Sequence, residues 1–407
     1  MGLQDREVFP FHEDLENIEL ELSLEYTPAV QALLRTSREL AEKIVSMVAE
    51  ARSFGVGFPS STLDVEVHSI PSLSSAASVP GVAIDSTYPP EGGIDLVGGQ
   101  LIGVVAGYIG FGGVKASDPC RQREVHAKAW FTRGEDAKSK VMVLSKLLEK
   151  AVARRVLDCV ESGKMNAHLI LFDGEIVPYT LLFHSTSHVQ SRRLLHKLDE
   201  VTKTVLQRAA QLGVTIVGVV KRSYSHMLAA VLGRRPPLND KALASLMLSR
   251  GTYFKLGRFR DILPRYASIL ARYRGVDPEK YSKVVRERVE SAKEYGEVVV
   301  AFYKPSRGSP NNQAVRIEVL DYGGMGLGNV ISILDKLTNP QTGLPYPVDL
   351  IDEYTRLESR ALELLRRKVL GEVALLAREL GTPVSVLLGH TNPEKRYLYE
   401  PRSPRML

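Results

Sequence analysis

Gly81-Val82-Ala83-Ile84-Asp85-Ser86-Thr87 is a short apolar run that reaches one carboxylate and breaks into the polar turn Tyr88-Pro89-Pro90. Taken alone it reads as a buried strand with an Asp at its end, because strands commonly stop at turn residues. Its weight comes from a second copy of the arrangement, Leu169-Ile170-Leu171-Phe172-Asp173-Gly174-Glu175. Between the copies, residues 101–111 read as a glycine-containing strand antiparallel to the first, and residues 123–132 alternate as a third strand. Residues 136–160 then place Val141, Leu144, Leu148, Val152 and Val156 at helical spacing, with Glu149 at the edge of that stripe and Ser162-Gly163 as a stop. Two apolar strands that each deliver one Asp, with an acid-bearing helix between them, can bring carboxylates together over one divalent-metal site.

Upstream, residues 29–51 carry Val30, Leu33, Leu34, Leu40, Ile44 and Val48 at helical spacing, a long amphipathic helix for packing or for pairing with another chain. Residues 54–80, rich in Gly, Ser and Pro, form a connector with one short strand expected at 63–68. Downstream come an amphipathic helix over 191–212 and a strongly β-branched strand over 214–220, which runs into Lys221-Arg222-Ser223. After a Pro-containing break at 233–240 and a helix at 241–249, the basic stretch 253–295 is expected to be helical. Residues 297–304 and 314–320 read as a strand pair, and 330–337 and 349–380 as helices, the last preceded by Pro345-Tyr346-Pro347. The expected organisation is an N-terminal helical extension over 1–55, a main domain over 60–380 with a helical insertion around 235–295, and a C-terminal tail over 381–407.

The composition, 44% hydrophobic and 25% charged over 407 residues, is that of a soluble globular protein with ample length for a core. Cys120 and Cys159 show neither CxxC spacing nor a nearby His, which argues against a disulfide framework or structural zinc and for a reducing, cytoplasmic setting. Residues 1–14 lack the basic flank and apolar core of a secretory signal, and no apolar run approaches a membrane span. The net charge of +6 and pI near 9.1 are a mild basic excess. Its clusters at Lys221-Arg222, Arg234-Arg235, 255–260, 265–274 and 366–368, several with Tyr or Phe, suit phosphates and unstacked bases. Solvated helix faces account for such clusters equally well.

The order strand–Asp, hairpin strands, helix–Glu, strand–Asp matches the α/β core of ribonuclease H-like folds, a mixed sheet flanked by helices whose first three strands form a meander. A set of carboxylates suits Mg2+ or Mn2+, hard cations that prefer oxygen. Two such ions about 4 Å apart activate water and stabilise the leaving oxygen in phosphodiester cleavage. Rival chemistries lack their residues. No GxxxxGK[ST] or GxSxG occurs, and Gly110-Phe111-Gly112-Gly113 lacks the strand–turn–helix setting of a dinucleotide site. His226, three residues after Ser223, reads as structural.

These residues resemble the NurA nucleases. The likeness runs over about 80–360 and is carried by Ala83-Ile84-Asp85-Ser86, Leu171-Phe172-Asp173-Gly174, Val219-Val220-Lys221-Arg222-Ser223, Val315-Arg316-Ile317-Glu318 and Pro345-Tyr346-Pro347. No piece is specific alone; their order and spacing together are. The resemblance implies manganese- or magnesium-dependent cleavage of DNA with two ions, of the single-strand endonuclease and 5'-3' exonuclease type. It also implies a homodimer enclosing DNA and partnership with a hexameric HerA-like ATPase in end resection and double-strand-break repair. By the resemblance, Asp85 and Asp173 are the metal-binding aspartates and Glu149 completes the site, with Glu135 and Glu161 as substitutes. Tyr346 matches a tyrosine near the active site, and Lys221, Arg222 and Arg316 are positioned to contact DNA phosphates. Two departures stand out. Ser86 follows Asp85 directly where the family usually has Asp-Gly-Ser, and Tyr354 occupies the place of a late histidine. A tyrosine, with an ordinary pKa near 10, is a poor substitute for a histidine as ligand or neutral-pH proton carrier. Asp349, Asp352 or Glu353 could supply the missing ligand, or the chain could be a catalytically weakened DNA-binding scaffold that docks on the ATPase.

Overall fold

The structure, a computed structural model, describes residues 37–55, 65–74, 78–89, 93–96, 99–132, 137–183, 189–221, 225–228, 230, 238–308, 313–357 and 359–379. Arg222, Glu135, residues 1–36 and the tail 381–407 lie outside the described residues. The chain divides into two units, Met1–Gly57 and Phe58–Leu407. The described part of the first is one helix, α1 (Ser37–Gly55), which holds Leu40, Ile44 and Val48 of the periodic stripe.

In the second unit β1 (Val67–Ser69) precedes β2 (Gly81–Thr87), β3 (Ile94–Leu96), β4 (Gly99–Phe111) and β5 (Arg123–Thr132). Helix α2 (Ala137–Glu161) leads to β6 (Leu169–Asp173), and α3 (Tyr179–Phe183) and α4 (Val189–Leu212) lead to β7 (Thr215–Val220). Then come α5 (Asp240–Met247), β8 (Thr252–Arg258), α6 (Phe259–Arg274), α7 (Pro278–Glu290) and α8 (Lys293–Glu297). The hairpin strands β9 (Val299–Lys304) and β10 (Val315–Leu320) are followed by α9 (Leu327–Lys336), α10 (Tyr346–Thr355) and α11 (Ser359–Glu379).

The strands form one sheet in the order β1-β8-β9-β10-β7-β6-β2-β4-β3, with β5 on the far side of β4. Pairs β2–β6 and β6–β7 are parallel and the remaining pairs antiparallel. The meander β2-β4-β5 followed by two parallel strands is the ribonuclease H-like topology expected from the sequence. It is extended at one edge by the β10-β9-β8-β1 half-sheet. The central strands read as unbroken apolar runs because helices cover both faces. On one face Ala83, Leu171, Val219 and Ile317 pack with Ile331, Leu334, Val348 and Ile351 of α9 and α10. On the other, Val141 of α2 packs with Ile102 and Val104 of β4.

Three expectations are corrected. The stretch 253–295 is not all helix, since Thr252–Arg258 pairs with β9 as β8 and carries the sheet outward to β1. The described part of the region 349–380 is two helices, Tyr346–Thr355 and Ser359–Glu379, with 356–357 outside both; the first begins already at Tyr346, with Pro347 in its first turn, where a missing N–H costs nothing. Cys120 and Cys159 are joined in a disulfide, Cα to Cα 6.0 Å, tying the chain before β5 to the last turn of α2. Proximity across 39 residues is a tertiary fact that cysteine spacing does not carry. The expectation of a reducing setting loses its basis with it. Among the described residues no helix is long and apolar enough to cross a membrane.

Candidate metal centre

Parallel register places the two aspartates side by side. Ile84 pairs with Phe172, so Asp85 and Asp173 follow at one level on adjacent strands spaced about 4.8 Å apart. Helix α10 crosses these ends and contributes two side chains three residues apart, hence on one face. Asp352 completes a trio in which carboxylate oxygens of Asp85, Asp173 and Asp352 all lie within 4.8 Å of one another. Thr355 Oγ1 donates to Asp85 Oδ2 at 2.8 Å. Asp85 is only 5% exposed, whereas the Asp352 side chain is 59% exposed and leaves the centre open on one side.

The electrostatics follow from this crowding. Burial pushes the Asp85 carboxyl above its usual range, with Thr355 opposing and Glu149 adding to the rise. Burial, then the charge of Asp85, pushes Asp173 up to about 7. Lys221 Nζ lies 2.8 Å from Asp173 and 2.9 Å from Asp352. Burial pulls the lysine down, but Asp173 and Asp352 outweigh it and hold the ammonium above its ordinary value. Three acidic oxygens held together against their mutual repulsion, with one cation already drawn between two of them, are a donor set that fits a hard divalent ion.

The other residues singled out in the sequence are placed differently. Glu149 is fully buried on α2; its Oε2 accepts from Lys146 (2.7 Å) and Ser86 (3.2 Å), and its Oε1 lies 3.1 Å from Lys150. Against burial, the two lysines hold its carboxyl below the usual range. Ser86 faces the side of β2 opposite Asp85, so Glu149 supports the strand from behind while its oxygens are taken by cations. Glu161 pairs with Arg208. Asp349 accepts from Asn339 (2.9 Å) and Thr342 (2.5 Å), and Glu353 pairs with Arg356. Tyr346 opens α10, 55% exposed and six residues, or about 9 Å of helix axis, before Asp352. Tyr354 lies under the Arg123 guanidinium at 5.8 Å, while its neighbour Thr355 reaches Asp85. Arg316 is 1% exposed and bound to Glu318 at 2.6 Å, so it serves the interior rather than a DNA phosphate. Lys221, expected to meet phosphate, sits inside the acidic trio. Thr355 was missed in the sequence. Its spacing of three from Asp352, in the first helix after the Pro345-Tyr346-Pro347 turn, was the available signal.

Against known protein families, residues 57–357 match the NurA domain. The chain belongs to the NurA family. Among solved structures it is similar to the NurA nuclease from Sulfolobus solfataricus, with a TM-score of 0.53 at 13% identity, covering 87% of this chain and 98% of that one. A second NurA crystal structure is matched with a TM-score of 0.45 at 10% identity, over 83% of this chain and 97% of the other. No curated protein matches the chain. At such identity the structural likeness establishes the shared fold; NurA membership rests on the domain match.

Proposed function

We propose that this NurA-family chain is a divalent-metal-dependent deoxyribonuclease whose centre is Asp85, Asp173 and Asp352. The observation that carries the reading is the convergence of three carboxylates from β2, β6 and α10 within 4.8 Å. A Mn2+ or Mg2+ ion bound there supplies Lewis-acid neutralisation of phosphate charge and activation of water. The chain's own residues prepare that chemistry. Thr355 orients Asp85, and Lys221 offsets part of the trio's charge and presents an ammonium to an entering phosphate. Lys146, Glu149 and Ser86 hold the back of β2. Family resemblance supports action on DNA ends as a homodimer, alongside a HerA-like ATPase in end resection.

The deciding experiment is cleavage of end-labelled single- and double-stranded DNA with MnCl2, MgCl2 or EDTA, beside Asp85→Asn and Asp173→Asn. Metal-dependent products are expected from the wild type, reduced on the order of a hundredfold or more in each variant. Equal activity in wild type and both variants would sink the assignment. A second reading, a DNA-binding scaffold that no longer cuts, is favoured by the Lys221 ammonium held between Asp173 and Asp352. It predicts salt-sensitive DNA binding with no product in either metal.

A further inference from the structure

Arg316 and Glu318 are buried charges that the proposed chemistry leaves unused. They alternate on β10 with Val315, Ile317 and Val319, which pack toward α9 and α10, so the charged pair lies on the opposite face of the sheet. Glu318 stands across from Gly218 of β7. The turn that follows Asp173 rests on that glycine: a Cβ there would lie 2.5 Å from the Gly174 carbonyl oxygen and 3.0 Å from the Ile176 nitrogen. Glu318 Oε2 accepts the Ile176 N–H at 2.9 Å, and Gly174 N–H donates to the Val219 carbonyl at 3.0 Å. Glu318 Oε1 accepts from Arg316 Nη2 (2.6 Å) and from the Tyr179 hydroxyl (2.8 Å), and the guanidinium lies over the Tyr179 ring.

The other end of the guanidinium reaches a different segment. Arg316 Nη1 donates to Ser225 Oγ at 3.0 Å, and that hydroxyl donates to Asp240 at 2.6 Å. Asp240, fully buried, accepts the backbone N–H groups of Met227 (2.7 Å) and Leu228 (2.8 Å). One ion pair therefore grips the turn after Asp173 and, through Ser225 and Asp240, the start of α5, whose Lys241 Nζ donates to the Lys221 carbonyl at 3.0 Å.

We propose that Arg316–Glu318 is a positioning pair that sets Asp173 against Lys221 from the far side of the sheet, and so tunes the trio's affinity for a divalent cation. The proposal rests on the metal-centre reading. A buried ion pair is a weak source of stability, and apolar residues of similar volume commonly replace one at little cost or with gain. Holding two strand-end segments in register is a task that apolar side chains cannot perform, because they offer no acceptor to Ile176 and no donor to Ser225.

The test compares wild type, the double variant Arg316→Met/Glu318→Leu, Glu318→Gln, Gly218→Ala and Asp85→Asn. Each is measured by calorimetric titration with MnCl2, thermal unfolding, and hydrogen exchange at Ile176 without metal. The double variant is expected to melt near wild type, exchange Ile176 at least tenfold faster and bind Mn2+ at least tenfold more weakly. Glu318→Gln leaves Arg316 buried without its counter-charge and turns an amide NH2 toward one of the donors Ile176, Arg316 or Tyr179, so it should melt below the double variant and also bind Mn2+ at least tenfold more weakly. A folded double variant with unchanged exchange and unchanged Mn2+ affinity overturns the proposal. If the double variant does not fold, Gly218→Ala decides, because it lifts the turn off β7 and keeps the pair; undiminished Mn2+ binding there overturns it equally. A wild type that binds no Mn2+, or an Asp85→Asn that binds as tightly, defeats the metal-centre reading instead, and Ile176 exchange then judges the clamp alone.

Discussion

At the scale of single residues, the centre depends on what each carboxylate meets. Thr355 adds a side-chain hydrogen bond to the buried Asp85, which the Ser86 backbone also meets. Thr355→Val keeps the shape and removes the donor, so it should cost about 1–3 kcal/mol in urea unfolding and lower metal-dependent cleavage at least tenfold. Tyr354→Phe, which keeps the ring under Arg123, should change cleavage by less than threefold. A large loss there would mean that the phenol matters. Asp173 predicts a pH dependence. Its folded carboxyl, pushed up to about 7, keeps a proton across a window where the unfolded chain, near pKa 3.8, has lost it. Metal-free stability should therefore fall as pH rises from about 4 to about 7 and level off above. Asp173→Asn should remove that part of the slope in denaturant titrations with EDTA present. Asp85 and Asp173 were legible because each ends an apolar strand. Asp352 was one of three acids on a helix whose facing side no single sequence reveals.

At the scale of elements, Glu149 on α2 lies behind the sheet, while Asp352 on α10 joins the two aspartates. The family resemblance makes Glu149, on the amphipathic helix between the two Asp strands, the third ligand. The helix does pack over the sheet, but on the face where Lys146 and Lys150 also point, and their ammonium groups take both Glu149 oxygens. Glu149→Gln would leave Lys150 buried without a counter-charge, so it should cost about 3–5 kcal/mol in unfolding experiments. The fraction that stays folded should bind Mn2+ normally. A tenfold loss of Mn2+ affinity at unchanged stability would return Glu149 to the ligand set. Helix α10, from Tyr346 to Thr355, packs on β2, β4 and β6 and so brings Asp352 beside Asp85 and Asp173.

At the scale of the whole molecule, ten strands among the described residues form one sheet, and β8 gives its outer half a strand that basic composition disguises. Arg258 and Arg260 in that region share Glu297 in partly exposed ion pairs, so part of the basic excess is offset locally. The disulfide spans 39 residues, including β5 and α2. By loop-closure entropy it should contribute about 4 kcal/mol, seen as a lower urea midpoint for Cys120→Ser. Dithiothreitol should then shift the wild type and leave the variant unchanged. An identical midpoint in wild type and variant would show that the bridge adds nothing.

The sequence by itself determined the meander, the two Asp-ended strands and, through motif order, the family, because strand periodicity and turn residues are local properties. It also determined that carboxylates, rather than thiols or a P-loop, follow the two apolar runs. Only the tertiary structure decided which acid joins Asp85 and Asp173, that Arg316 is buried against Glu318, and that Cys120 meets Cys159. Each depends on which face of a helix or strand meets which neighbour across more than thirty residues of chain. That is settled by the packing of the complete core, not by any window of residues.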